Sequence, residues 1–149
     1  RCPNSTPTTC IRTTRFATRP EMRALLDTHT FLWWVLDVPR LSAESRAILE
    51  DGANELLFSA ASAYEIALKA RSGRLTLPES PESYVPDRLI TNGFSRLPID
   101  LGHALRAGTL PWIHRDPFDR LLVAQAQMEG LAILTADPVI SRYDVETIW

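Results

Sequence analysis

Ala24-Leu25-Leu26-Asp27-Thr28-His29 is a short apolar run that ends in an acid and passes at once into a helical pattern. A run this short suits a buried strand covered on both faces, and Thr28–Leu36 then continues as a helix. The same alternation extends outward along the chain. Ser42–Asp51 reads as a helix with Ser42 as N-cap and Gly52 as its stop. Glu55–Ser59 is a second strand, and the helix after it spans Ser62 to Ser72 and ends at Gly73. Beyond Pro78 and Pro81, a helix is expected over Ser83–Asn92, with Pro86 inside it and Gly93 closing it. Arg96–Ile99 is a third strand, Leu101–Gly108 a short helix, and Pro117–Glu129 the clearest helix, bounded by proline and Gly130. Leu131–Thr135 and Val145–Ile148 complete about five short strands. Strands alternating with helices imply right-handed crossovers and a central parallel sheet with helices on both faces, an α/β fold of three layers.

In such sheets ligands bind beyond the carboxyl ends of the strands. Here those ends carry acids. Asp27 follows the first strand, and Glu65 lies early in the helix after the second. Asp116 and Asp119 open the long helix, and Asp137 follows the fourth strand. Each has a purely structural reading. Ser62-x-x-Glu65 matches a capping box, Asp116 before Pro117 suits an N-cap, Asp119 suits the helix dipole, and Glu65 with Lys69 suits a surface pair. Together they read differently, because acids from four segments are sent toward one sheet edge. Crowded carboxylates raise one another's pKa unless a cation neutralises them. Oxygen ligands without histidine or cysteine favour Mg²⁺ or Mn²⁺ over zinc, and such ions can activate a water against a phosphodiester.

The chain has 149 residues, 45% hydrophobic and 23% charged, enough for one domain with a sizeable core. Residues 1–21 differ from the rest: six threonines, three prolines, four arginines and no apolar period. They read as a disordered tail or upstream extension, leaving one domain over 22–149. Both cysteines, Cys2 and Cys10, belong to that tail, so the remainder suits a reducing compartment, the cytoplasm, and excludes thiolate chemistry. Residues 22–149 hold 12 of the 16 basic and 17 of the 18 acidic residues, a formal charge of −5. Nucleic-acid binding through bulk charge is therefore not expected, and a strip of Arg71, Arg74, Arg88, Arg115 and Arg120 is the most the body offers. The longest apolar runs are too short to cross a bilayer.

Four motifs resemble a PIN-domain ribonuclease, most closely a VapC toxin of type II toxin–antitoxin pairs. They are Leu25-Leu26-Asp27-Thr28-His29; Ser59-Ala-Ala-Ser62-Ala-Tyr64-Glu65-Ile66-Ala67-Leu68-Lys69 with Gly73-Arg-Leu75; Asp116-Pro-Phe-Asp119-Arg120-Leu-Leu-Val-Ala124-Gln-Ala126; and Leu134-Thr135-Ala-Asp137. The resemblance covers residues 22–149. It implies a Mg²⁺-dependent endoribonuclease, with Mn²⁺ as substitute, that cleaves RNA by metal-activated water. It further implies a small cognate antitoxin and a homodimer. Carried over by position, Asp27, Glu65, Asp119 and Asp137 would be the catalytic metal ligands. Asp116 is a further candidate ligand, although its position suits an N-cap better. Tyr64 stands where the family often has tryptophan.

Ser59, Ser62 and Thr135 sit where hydroxyls could support the acids or cap strand ends. Arg120 could meet RNA phosphate or pair with Asp116. His29 could place a phosphate, while His103 and His114 are dispersed in sequence and predict no zinc site. Phe31, Trp33 and Trp34 read mostly as core, with one tryptophan left for an antitoxin or dimer groove. The alternative function is a non-catalytic PIN-fold module binding RNA or protein, with the acids as caps. A phosphatase is disfavoured, since its phosphoaspartate pattern is missing after the first strand.

Overall fold

The structure is a computed structural model describing residues 20–149; residues 1–19, which hold most of the expected tail and both cysteines, lie outside the described residues. Five parallel strands form one sheet in the order β3-β2-β1-β4-β5. They are β1 (Arg23–Leu26), β2 (Glu55–Ser59), β3 (Ser95–Leu97), β4 (Ala132–Leu134) and β5 (Thr147–Ile148). The helices are α1 (Thr28–Val35), α2 (Ala43–Glu50), α3 (Ala60–Arg71), α4 (Pro81–Asn92), α5 (Leu101–Thr109) and α6 (Pro117–Glu129). The expected parallel α/β/α architecture is therefore present.

The two-residue period of the strands divides the core. Leu25, Leu57, Leu97 and Ile133 face one side, where they meet Ala107 and Leu110 of the α5 region and Leu122, Val123 and Ala126 of α6. Ala24, Leu26, Leu56, Phe58 and Leu134 face the other, against Phe31, Ile66, Val85 and Leu89 of α1, α3 and α4. Each fully buried side chain of this size stabilises the fold by about 1.5–3 kcal/mol. β1 lies centrally, with Leu25 paired to Leu57 on one side and to Ile133 on the other. The residue after it therefore emerges in the middle of the sheet's carboxyl edge.

Several boundaries differ from expectation, β4 and β5 being shorter than the apolar runs that announced them, and three of the differences have clear local reasons. α3 begins at Ala60, because Ser59 accepts the Ala61 N–H at 3.0 Å and so supplies the N-cap. α4 begins at Pro81, whose fixed φ suits the first helical position, and it runs through Pro86 to Gly93 in the left-handed region at φ 67°. β3 stops at Leu97, since Pro98 has no N–H to extend the ladder. Among the described residues, no helix is long and apolar enough to cross a membrane.

Candidate metal centre

Asp27 sits between β1 and α1 in extended conformation, at the N-cap position, yet its side chain caps nothing. The Asp27 N–H donates to the Leu134 carbonyl, locking its backbone to the end of β4. Asp27 Oδ2 accepts from Thr135 Oγ1 at 2.6 Å, and that same oxygen of Thr135 accepts the Asp137 N–H at 3.0 Å. One threonine thus ties together the acids that follow β1 and β4. Asp27 Oδ1 is buried with no hydrogen-bond partner.

Starting α3 at Ala60 removes Glu65 from the first turn, so the capping-box reading of Ser62-x-x-Glu65 fails. Ser62 instead accepts a hydrogen bond from Thr28 Oγ1 at 2.8 Å. Glu65 is buried; its Oε2 pairs with Lys69 Nζ at 2.7 Å, and its Oε1 is a second buried oxygen without a partner. Burying a carboxylate oxygen unpaired costs kcal/mol, so each of these two calls for an explanation, and a ligand would supply one.

α6 brings the third acid. Asp116 Oδ1 accepts the Phe118 N–H at 2.8 Å, which makes Asp116 the N-cap, and Asp119 lies in the first turn. Asp119 Oδ2 is 3.1 Å from His114 Nε2, and Asp137 Oδ2 is 2.8 Å from the same nitrogen. His114 Nδ1 accepts the Asp116 N–H at 3.1 Å, so the ring proton belongs on Nε2 and is shared between the two carboxylates. Asp137 Oδ1 accepts the Val139 N–H at 2.8 Å. The dispersed-histidine expectation is corrected for His114, which lies inside the acid cluster. Its signal was its place two residues before the Asp116 cap.

The electrostatics follow from this crowding. Burial, then the Asp27 and Asp116 charges, push the Asp119 carboxyl up to about 7, with Glu65 adding and His114 opposing. Burial also raises Asp27, against the Thr135 hydrogen bond and His29, while Glu65 adds to the rise. Among the described residues, ligand atoms of His114, Asp119 and Asp137 lie within 4.8 Å of one another, and a divalent cation beside them would offset the Asp27, Asp116 and Glu65 charges that raise Asp119. The donor set fits Mg²⁺ or Mn²⁺: hard carboxylate oxygens, with the imidazole lone pair turned away into a backbone hydrogen bond.

Two expected supporting residues stand elsewhere. The Ser59 hydroxyl donates to Gln125 Oε1 and caps α3, touching no acid. The Arg120 guanidinium is buried and donates to the carbonyls of Ala107, Leu110 and Pro111 at 2.8–3.0 Å, with the Trp112 ring stacked on it at 4.4 Å. It therefore meets neither phosphate nor Asp116, because the open end of α5 and the following loop claim its donors. Tyr143 Oη lies 3.3 Å from Arg120, donates to Pro111 and accepts the His114 N–H at 2.7 Å, so this strut fixes the loop that presents His114. His103 forms a separate cluster with Asp100 and Glu129 at the far end of α6.

Comparison with known proteins agrees with this architecture. The sequence model of the PIN domain matches residues 24–146. Ribonuclease VapC16 of Mycobacterium tuberculosis is 51% identical over 69 residues, 44% of this chain and 49% of that protein, so the match spans about half of the relative's length. Among solved structures, FitAcB from Neisseria gonorrhoeae superposes with a TM-score of 0.58 at 23% identity, covering 86% of this chain and 97% of that one. VapBC2 from Rickettsia felis, bound to a DNA fragment from its promoter, gives 0.60 at 11% identity, covering 85% and 98%. A toxin–antitoxin complex from Klebsiella pneumoniae gives 0.60 at 17% identity, covering 85% and 96%. These structural likenesses establish the fold, and the family match extends from β1 through all the acids of the cluster. The chain belongs to the PIN domain family.

Proposed function

We propose that this chain is a divalent-metal-dependent endoribonuclease, a VapC-type toxin restrained in the cytoplasm by a small cognate antitoxin and active as a homodimer. The observation that carries the reading is the pair of buried, partnerless oxygens, Asp27 Oδ1 and Glu65 Oε1, beside a carboxyl pushed up to about 7. Asp27, Glu65, Asp119 and Asp137 are the proposed catalytic residues and would hold Mg²⁺, or Mn²⁺ in its place. Asp116 is assigned to the helix cap. A divalent ion at such a site supplies positive charge that lowers the pKa of water and neutralises phosphate oxygens.

The chain's own residues do the rest. Thr135 donates to Asp27, leaving Oδ1 as its free acceptor. Lys69 takes one oxygen of Glu65 and directs the other inward. His114 fixes Asp119 and Asp137 by a shared proton. Asp119, raised by burial and by the Asp27 and Asp116 charges, would be returned to its ionised form by a cation held beside it. The test is incubation of the full chain with total cellular RNA, with Mg²⁺, with Mn²⁺, with EDTA, and as Asp27→Asn. Discrete fragments confined to the metal arms and lost in the variant are expected. Intact RNA in all arms, with no metal-induced rise in Tm, would leave a binding module of the same fold.

A further inference from the structure

We propose that Gln125 is a positioning residue for the acid cluster: its hydrogen bond to Ser59 sets the depth at which α6 packs on α3, and with it the placement of Asp119 against Glu65. The tie belongs to the fold; its consequence for a bound ion rests on the metal-dependent reading above. Gln125 is completely buried on α6, where its neighbours Leu122, Val123, Ala124 and Ala126 are apolar core. Its Oε1 accepts from the Ser59 hydroxyl at 2.5 Å, and its Nε2 donates to the Pro98 carbonyl at 3.2 Å. Ser59 Oγ also accepts the Ala61 N–H at 3.0 Å, so the residue bonded to Gln125 is the one that starts α3. One amide side chain therefore joins α6 to the ends of β2 and β3 and to the first turn of α3.

The same helices also touch at Tyr64 and Phe118, whose ring centroids are 5.6 Å apart. Phe118 lies about 10 Å before Gln125 along α6, while Tyr64 lies after Ser59 along α3, so the helices run antiparallel between the two contacts. Glu65 directly follows the first of these rings in sequence, and Asp119 directly follows the second. A slide of α6 along α3 would therefore carry Asp119 past Glu65. Apolar packing is non-directional and resists such a slide only through shape. The bond between Ser59 and Gln125 joins two particular atoms at one distance and one angle, so it selects a single register. It adds little net stability, because both groups give up water to form it. Direction, and not energy, accounts for an amide at this place in an apolar helix face.

The experiment compares the full chain with Gln125→Met, which keeps the length of the side chain and removes its amide, with Ser59→Ala, and with the two combined. Two quantities are read: the nuclear Overhauser contact between the Tyr64 and Phe118 rings without metal, and the affinity for Mn²⁺ by calorimetry. Each single change is expected to abolish or weaken the ring contact and to lower Mn²⁺ affinity at least about 10-fold, the range for residues that orient metal ligands. The double variant loses no more than the larger single loss, because both changes break one bond. Ser59→Ala is also a second route to that bond should Gln125→Met fail to fold. Leu49→Val, in the core on the opposite face of the sheet, lowers Tm and moves neither reading, which separates positioning from stability. Unchanged Mn²⁺ affinity in a chain that binds the ion, additive losses in the double variant, or an equal loss in Leu49→Val overturns the proposal and leaves the metal-dependent reading standing. If no form takes up Mn²⁺, the unmodified chain included, that reading fails and the ring contact decides: its loss in both single variants supports the tie, and its persistence overturns it.

Discussion

The molecule contains two histidine–carboxylate clusters with nearly the same wiring. At His103, Nδ1 accepts the Asp100 N–H at 3.1 Å and Nε2 meets Glu129 at 2.8 Å. At His114, Nδ1 accepts the Asp116 N–H at 3.1 Å and Nε2 meets Asp137 at 2.8 Å. The difference lies in the acids. Asp100 and Glu129 are 62% and 39% exposed, and Asp100 is fully employed in the capping box of α5. Asp119 is 16% exposed and stands with Asp27 and Glu65, each of which leaves one buried oxygen unpartnered. A set of metal-capable residue types therefore marks nothing by itself. Buried acceptors left without donors mark the site, and only one of the two clusters has them.

The largest effect that separates the clusters concerns pH in the metal-free protein. The Asp119 carboxyl is raised from 3.8 to about 7 in the fold, by burial first and then by Asp27 and Asp116. The folded state thus holds a proton that the unfolded chain has released, so the associated stability is complete below pH 3.8 and is lost as pH rises through 7. In EDTA, urea unfolding should show stability falling across this window by at most about 4 kcal/mol. Asp119→Asn should remove most of that fall. A flat profile in the unmodified chain would mean that the acids are not crowded as described.

Activity comes next. Asp27→Asn keeps the shape and the Thr135 contact but removes a charge, and should lower the rate of RNA cleavage at least about 100-fold, roughly 2.7 kcal/mol of barrier. Asp100→Asn in the other cluster should leave the rate within about 2-fold. Metal binding gives a matching contrast: Mg²⁺ at about 100 times its Kd should stabilise the chain by about 2.7 kcal/mol. Calorimetry should show that increment lost in Glu65→Gln and retained in Glu129→Gln. Loss in both would place the ion in the wrong cluster.

The sequence shows one cluster's acids and hides its histidine for the same physical reason. Asp27, Glu65, Asp119 and Asp137 sit next to strand ends and helix starts, which local patterning reveals. His114 lies in the irregular loop between α5 and α6, whose path is set by Arg120 and Tyr143 from distant segments. Nothing local distinguishes Arg120 from a surface arginine on an amphipathic helix. Its burial depends on four backbone carbonyls that only the folded α5–α6 connection brings together. Glu65 shows the opposite error. Ser62-x-x-Glu65 is a valid capping signal, overridden because Ser59, at the end of β2, caps the helix first. The strands were legible from apolar runs, and their shortening at Pro98 follows from a missing donor.

The smallest prediction concerns the two capping aspartates, one in each cluster. Asp116 Oδ1 receives the Phe118 N–H, and Asp100 Oδ1 receives the His103 N–H. Serine can supply the same acceptor, so Asp116→Ser and Asp100→Ser should each cost no more than about 0.5 kcal/mol, whereas alanine costs about 1 kcal/mol at either place. Their second effects should diverge. Asp116 lends negative charge to Asp119, so Asp116→Ser lets the Asp119 carboxyl fall back toward its ordinary range and makes the metal-free pH profile shallower. As a cap it should also leave cleavage within about 3-fold of the unmodified chain, because the serine keeps α6 in register. A loss on the scale of Asp27→Asn would make Asp116 a fifth ligand, and the N-cap bond to Phe118 would then be incidental to its role.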